Sequence, residues 1–132
     1  MNYFYEPVNL KQWNMFDKVS GPGHLEPFLA TQKMKIGDIV LLHVGTQDPE
    51  VMTGVYAWGV VKTMPEILLD EDRKDIDYCY GKLSVWVEVK EIVRSNPLIK
   101  QEDCRNIFNN AFRSVHKINE KGVKHLLKIM RF

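Results

Sequence analysis

The sequence predicts an α+β domain built on a curved, mostly antiparallel β-sheet, and three segments carry this prediction. Residues 39–44 are nearly all apolar, which is typical of a strand covered on both faces. Residues 54–61 mix small and large side chains, as strands of strongly curved sheets do. Residues 83–93 alternate apolar with polar side chains and indicate a strand with one buried face.

The segments around these strands predict shorter elements, and together they give the mixed order of an α+β fold. Before the first long strand we expect an aromatic strand over residues 3–5 closed by Pro7, a helix over 10–19 capped by Asn9, and a short helix over 26–33. After it we expect a polar loop over 46–50, an exposed acidic loop over 70–75, a helix over 101–109, a strand over 112–115, and a final helix capped by Asn119.

The composition is that of one soluble globular domain spanning residues 1–132. Its hydrophobic content is 45% and its charged content 27%. We find no run of eighteen apolar residues and no apolar signal-peptide core, so we expect a cytoplasmic location and no membrane partner. Cys79 and Cys104 lie 25 residues apart without metal-ligand spacing. We therefore expect reduced structural thiols, with no metal site and no cofactor.

Charge is distributed unevenly along the chain. Residues 1–93 hold 14 acidic and 9 basic side chains, whereas residues 94–132 hold 9 basic and 3 acidic ones. A basic end of this kind is either a surface that faces phosphates or a solvated helical face. The candidate phosphate-binding residues are Arg113, Lys117, Lys121, Lys124 and Lys128, of which the four lysines are spaced to share one helical face.

Several motifs, in this order, resemble the EVE domain of the PUA-like superfamily and, more distantly, the YTH domain. They are YFYEPVN at residues 3–9, KIGDIVL at 35–41, GVYAWGVV at 54–61, VWVEVKEI at 85–92 and FRSVHKINEKG at 112–122. The resemblance spans most of the chain and implies a PUA-like fold. It also implies a reader of modified bases in RNA or DNA, which holds one flipped base in an aromatic cage.

One departure from the family concerns the cage itself. Relatives place a tryptophan just after the first helix, but residues 19–25 here contain no aromatic side chain except His24. Either Trp13, Tyr56 or Trp58 supplies the missing ring, or the pocket prefers a different base. Because Tyr56 and Trp58 share one side of a strand by the period of two, we expect them to line one cavity.

The other candidate base-binding residues come from the loops near the first helix. The amide of Asn9 can read a base edge or cap the helix, and both readings stay open. Ser20 and the backbone of Gly21 and Gly23 can approach a base or phosphate closely, and His24 can stack or donate there. Trp13 is either a wall of the cage or a core residue.

The sequence favours a binding module over an enzyme. It contains no phosphate-binding glycine loop, no GxSxG elbow and no paired histidine ligands, and His43 is expected to be a hydrogen-bonded core residue. An acid/base pair such as Glu6 with Lys62 stays open, so the alternatives are a small PUA-like hydrolase or nuclease and a protein-interaction domain with a filled pocket. We expect a monomer that binds nucleic acid and acts with a separate or fused effector.

Overall fold

The computed structural model describes residues 1–45, 49–74, 77–109 and 114–132. The strands in these ranges are β1 Tyr3–Val8, β2 Leu25–Leu29, β3 Ile39–Val44, β4 Gly54–Val61, β5 Glu66–Ile67, β6 Leu83–Ile92, β7 Ile99–Lys100 and β8 His116–Lys117. The helices are α1 Met15–Lys18, α2 Gln101–Cys104 and α3 Glu120–Ile129, with a 3₁₀ turn at Glu71–Arg73. In these ranges, no helix has the length and apolar character needed to cross a membrane.

The strands form one curled sheet with the order β2-β6-β4-β3-β1-β8. β1 and β3 run parallel, and the other neighbouring pairs are antiparallel. The short strands β5 and β7 pair with β6 and β4, respectively. The predicted α+β class with a curved, mostly antiparallel sheet is therefore confirmed.

The two faces of the sheet carry separate hydrophobic cores, which strand β3 illustrates. Val40 and Leu42 belong to one core, which we call the inner core, while Ile39 and Leu41 belong to a second, the helix-covered core. All six residues of β3 are buried, so the predicted strand with two covered faces is confirmed. The inner core also contains Phe4, Met15, Phe28, Tyr56 and Val87, and the helix-covered core contains Ile107, Phe108, Ile118 and Leu126.

Two predictions near the N-terminus are wrong, and in the first of them pairing between strands overrides local helical preference. Residues 26–33 do not form a helix: β2 pairs with β6 instead, with Phe28 opposite Val85. The helix expected over 10–19 is reduced to α1, and Asn14 rather than Asn9 caps it by accepting a hydrogen bond from the Phe16 N–H.

Strand β1 also runs further than predicted, because Pro7 does not end it. Among the described residues, β8 pairs only with Phe4 and Tyr5, so its ladder does not require a donor at Pro7. In the C-terminal part, the helix expected over 101–109 ends at Cys104. Residues 112 and 113 of the strand expected over 112–115 lie outside the described residues, and β8 follows at His116–Lys117. The cap of α3 is confirmed, since Asn119 Oδ1 accepts a hydrogen bond from the Gly122 N–H at 2.8 Å.

Candidate functional site

A β-bulge separates the two aromatic residues that were expected to share a cavity. Along the β3–β4 pair, Leu42 lies opposite Ala57 and His43 lies opposite Val55, which leaves Tyr56 as an extra residue on β4. One extra residue reverses the alternation of side chains that follows it. Tyr56 therefore belongs to the inner core, whereas Trp58 packs against the helix-covered core. The prediction that the two rings line one cavity is wrong.

Both rings have contacts of their own. Tyr56 is 1% exposed, and its hydroxyl donates a hydrogen bond to the Met52 carbonyl oxygen at 2.5 Å. Trp58 is half-buried, its Nε1–H donates to Glu91 Oε1 at 3.0 Å, and its ring meets Phe132 edge-on with centroids 4.8 Å apart. Tyr56 is thus a core residue, and Trp58 lies on the side of the sheet that the C-terminal helix covers.

The inner face of the sheet instead carries a buried carboxyl group. Glu6 lies on β1 between the inner-core residues Phe4 and Val8 and opposite Leu42 of β3. The residue is 1% exposed, and its Oε2 has no hydrogen-bond partner among the described residues. Burial raises the pKa of Glu6 well above its ordinary value, because the low-dielectric surroundings favour the neutral form of the group over the charged one.

Aromatic side chains belong to the same inner core or pack against it. Trp13 is 8% exposed and meets Phe28 edge-on, with ring centroids 5.4 Å apart, while the half-buried Tyr78 lies 6.4 Å from Trp13. Burial raises the pKa of Tyr78 strongly, and the nearby Glu6 contributes to the shift. Burial, together with the nearby Asp77 and Glu6, raises the pKa of the Cys79 thiol to about 12. We call Glu6, Trp13 and Tyr78 the inner site.

A polar network connects the loop after α1 to the inner site. Ser20 Oγ lies 3.2 Å from His24 Nδ1, and His24 Nε2 lies 2.7 Å from Glu26 Oε1. Arg73 Nη1 lies 3.4 Å from Glu26 Oε2 and 3.0 Å from Asp77 Oδ2. Since Asp77 directly precedes Tyr78, the network ends beside the inner site. It brings Ser20 and His24 together as candidate residues, and Glu26, Arg73 and Asp77 are members that the sequence did not single out.

The geometry of this loop fixes the roles of the two histidine nitrogens. The Ser20 backbone N–H also points to His24 Nδ1, at 3.4 Å, so Nδ1 acts as the acceptor and Nε2–H donates to Glu26. Gly21 and Gly23 have φ of 152° and 92°, values that favour glycine. The Gly23 N–H donates to the Val89 carbonyl oxygen at 2.8 Å and is therefore already engaged.

The predicted basic residues fall into separate parts of the structure. Lys121, Lys124 and Lys128 are exposed on α3. Lys117 lies in β8, so the prediction that it shares their helical face is wrong. Arg113 lies outside the described residues. The basic face of α3 is therefore made by three lysines, and α3 packs on the helix-covered core through Leu126.

Other candidates are engaged in hydrogen bonds of their own. Asn9 is exposed, and its Oδ1 accepts a hydrogen bond from the Lys11 N–H at 3.0 Å, so it caps a turn. His43 is buried with Nε2 2.8 Å from Gln101 Oε1, which confirms the prediction of a hydrogen-bonded core residue, and burial lowers its pKa. The pair of Glu6 with Lys62 is not formed, because Lys62 Nζ lies 3.7 Å from Glu88 Oε1.

Comparisons with known proteins identify the fold. No protein-family model matches the chain, and a search of curated proteins finds no match. Among solved structures, the DUF55 domain of human thymocyte nuclear protein 1 is similar with a TM-score of 0.59 and 12% identity, covering 96% of both chains. Human THYN1 in complex with 5-methylcytosine-containing DNA is similar with a TM-score of 0.56 and 11% identity, covering 97% of this chain and 96% of that one.

A mutant of the ASCH protein from Zymomonas mobilis is also similar, with a TM-score of 0.57 and 10% identity, and the match covers 99% of this chain and 100% of that one. These likenesses span nearly the whole of each chain at low identity. The chain therefore has the PUA-like fold, and the resemblance stated from the sequence motifs is confirmed at the level of the fold.

Proposed function

We propose that this chain is a nucleic-acid-binding domain that holds one unstacked base at the inner site. The observation that carries the proposal is Glu6, a fully buried carboxyl group whose Oε2 lacks a partner among the described residues. Leaving a buried polar atom unpaired costs about 1–3 kcal/mol, so such a group calls for a ligand or a bound water. A ligand that bonds to Glu6 removes this cost.

The chemistry of a neutral carboxyl group suits the edge of a nucleobase. It offers one O–H donor and one carbonyl acceptor side by side. The Watson–Crick edges of the bases present a donor next to an acceptor in the same way, so two parallel hydrogen bonds can form. Such a pair would not require a charged group in the inner site, which agrees with the raised pKa of Glu6.

The rings of the inner site supply the second part of the recognition. Stacking of a base on an aromatic side chain contributes about 1–3 kcal/mol. Trp13 is almost fully buried, whereas Tyr78 is half-buried, so a base would enter the inner site beside the Tyr78 ring. We propose that the Tyr78 ring moves to admit the base and then stacks on it, and that Ser20, Gly21 and His24 frame the entrance. Ser20 and His24 are linked to Asp77 through Glu26 and Arg73.

The similar structure of human THYN1 with 5-methylcytosine-containing DNA supports a nucleic-acid partner and makes methylated cytosine the first base to test. A methyl group adds apolar area that prefers an aromatic wall to water. The exposed lysines of α3 would add a general attraction to phosphates, which weakens as salt rises. Lys117 and Arg113 are proposed to contribute to the same attraction.

A panel of labelled oligonucleotides tests this proposal. Fluorescence anisotropy at fixed salt would compare single- and double-stranded DNA and RNA carrying cytosine, 5-methylcytosine or N6-methyladenine. We expect Tyr78→Ala to lower the affinity for the preferred oligonucleotide by about tenfold, from the loss of one stacking contact. Trp58→Ala should change it by less than about twofold, because Trp58 faces the helix-covered core. Equal losses in both variants would refute the assignment of the inner site.

One observation favours a second candidate function, a hydrolase. Ser20 Oγ–H can give its proton to His24 Nδ1 while the oxygen attacks a carbonyl carbon, and Glu26 stabilises the imidazolium through Nε2–H. The leaving alkoxide would take the proton from His24, and water would then hydrolyse the acyl-enzyme. Steady hydrolysis of p-nitrophenyl acetate that is abolished in Ser20→Ala would support this function, and equal rates in both proteins would exclude it.

A further inference from the structure

A cleft on the helix-covered side of the sheet lies away from the inner site. It has a volume of about 460 Å³ and separates the segment after α2 from the first turn of α3. Its lining residues are Arg105, Asn106, Ile107, Phe108, Asn109, Asn119, Lys121, Gly122 and His125. Ile107 and Phe108 belong to the helix-covered core, whereas Glu6 lies among residues of the inner core. The cleft and the inner site are therefore on opposite faces of the sheet.

The walls of the cleft are held close together by a glycine. A Cβ atom added at Gly122 would lie 1.9 Å from the Ile107 backbone oxygen, so only glycine allows α3 to approach the segment after α2 this closely. Phe108 anchors that segment to strand β1, because its ring centroid lies 4.6 Å from that of Tyr5. The position of the two walls follows from packing.

The polar groups of the cleft match an anion. Arg105 and Lys121 are exposed and His125 is half-buried, and none of the described lining residues is acidic. Asn119 uses its Oδ1 to accept from the Gly122 N–H, so its Nδ2 remains a donor. Lys121 and Gly122 also lie at the positive end of the ten-residue helix α3, where backbone dipoles favour negative charge.

We propose that this cleft binds the phosphate ester of a nucleotide, as a second site separate from the inner site. Its volume lies within the range of small-molecule pockets, about 300–1,000 Å³. A guanidinium bonds two phosphate oxygens at once, so Arg105 would orient the phosphate and Lys121 would neutralise it. The asparagine amides would then bond the sugar or the remaining oxygens. The phosphate comes either from a free nucleotide or from a nucleic-acid backbone.

A charge reversal with a matched control tests the proposal. Lys121→Glu and Lys128→Glu change the net charge equally, and both residues are exposed on α3, but only Lys121 lines the cleft. Lys128 lies seven residues further along the helix, about 10 Å away. NMR chemical-shift titration would measure the binding of AMP, of inorganic phosphate and of an unmodified oligothymidylate. Circular dichroism would check the helicity of each variant.

We expect Lys121→Glu and Arg105→Gln to weaken binding by about tenfold or more, and Lys128→Glu to weaken it by less than about threefold. Binding of AMP would identify a free nucleotide as the source, and binding of the oligonucleotide alone would identify the backbone. Equal losses in Lys121→Glu and Lys128→Glu, or no shifts at the cleft with any probe, would overturn the proposal. Inorganic phosphate carries no base, so the shifts it causes at cleft residues should be the same in wild type and Glu6→Leu, and failure of the inner site and failure of the cleft are distinguishable.

Discussion

Replacing Glu6 by glutamine should make the protein more stable, by an amount that grows as pH rises. The side chain is 1% exposed and its Oε2 is unpaired among the described residues, so burial raises its pKa well above the ordinary value. Glutamine has nearly the same shape and hydrogen-bonding pattern as the neutral acid but cannot ionise. The comparison therefore isolates the ionisation of one group.

The sign follows from the direction of the shift. Below the unfolded-state pKa of about 4.3, both states of the wild type bind the proton and the two proteins should differ little. Above it, the unfolded chain releases the proton while the folded chain retains it, so the wild type loses stability relative to Glu6→Gln. The difference in unfolding free energy between Glu6→Gln and wild type widens by up to about 1.4 kcal/mol per pH unit until the pH reaches the folded-state pKa of Glu6.

Urea unfolding followed by tryptophan fluorescence, at pH values of about 5, 6 and 7, measures this gap. The other titrating groups are common to both proteins and cancel in the difference. Glu66→Gln, on the exposed strand β5, is the matched control and should show no widening. A gap between wild type and Glu6→Gln that stays constant from pH 5 to 7 would show that Glu6 ionises normally in the folded protein, which would refute the reasoning.

Two further predictions concern packing and the thiols. Gly122→Ala should destabilise the protein by about 1–3 kcal/mol despite the better helix propensity of alanine, because its Cβ would lie 1.9 Å from the Ile107 backbone oxygen. Thermal unfolding measures this loss, and an unchanged Tm would contradict it. Burial raises the pKa of both Cys79 and Cys104 to about 12, so a thiol reagent near neutral pH should label them only after denaturant is added, and rapid labelling of the native protein would disprove this.

The sequence predicted the long elements well because their patterns are local. The apolar run of β3 and the alternation of β6 each reflect burial that a short window reveals. Asn119 was recognised as a cap for the same reason, since the bond it makes reaches only to Gly122. The order of the motifs was sufficient to identify the PUA-like fold.

The candidate site was harder to predict because it depends on register and on contacts between distant segments. One bulge at Tyr56 moves Trp58 to the other face of the sheet, and no local signal marks that bulge. Tyr78 reaches the inner site from a segment 72 residues away from Glu6 along the chain. A signal for Glu6 was present, however: a carboxylate between Phe4 and Val8, on the apolar face of a strand, is a charged group at an inward position.

The central claim is that the inner site reads a base through Glu6. The most direct test measures the affinities of wild type, Glu6→Gln and Glu6→Leu for two oligonucleotides that differ only in one base, the preferred base and its closest unmodified analogue. We predict that Glu6→Gln keeps the preference, whereas Glu6→Leu reduces it by about tenfold through the loss of paired hydrogen bonds. Undiminished preference in Glu6→Leu, with its fold intact by circular dichroism, would contradict the account.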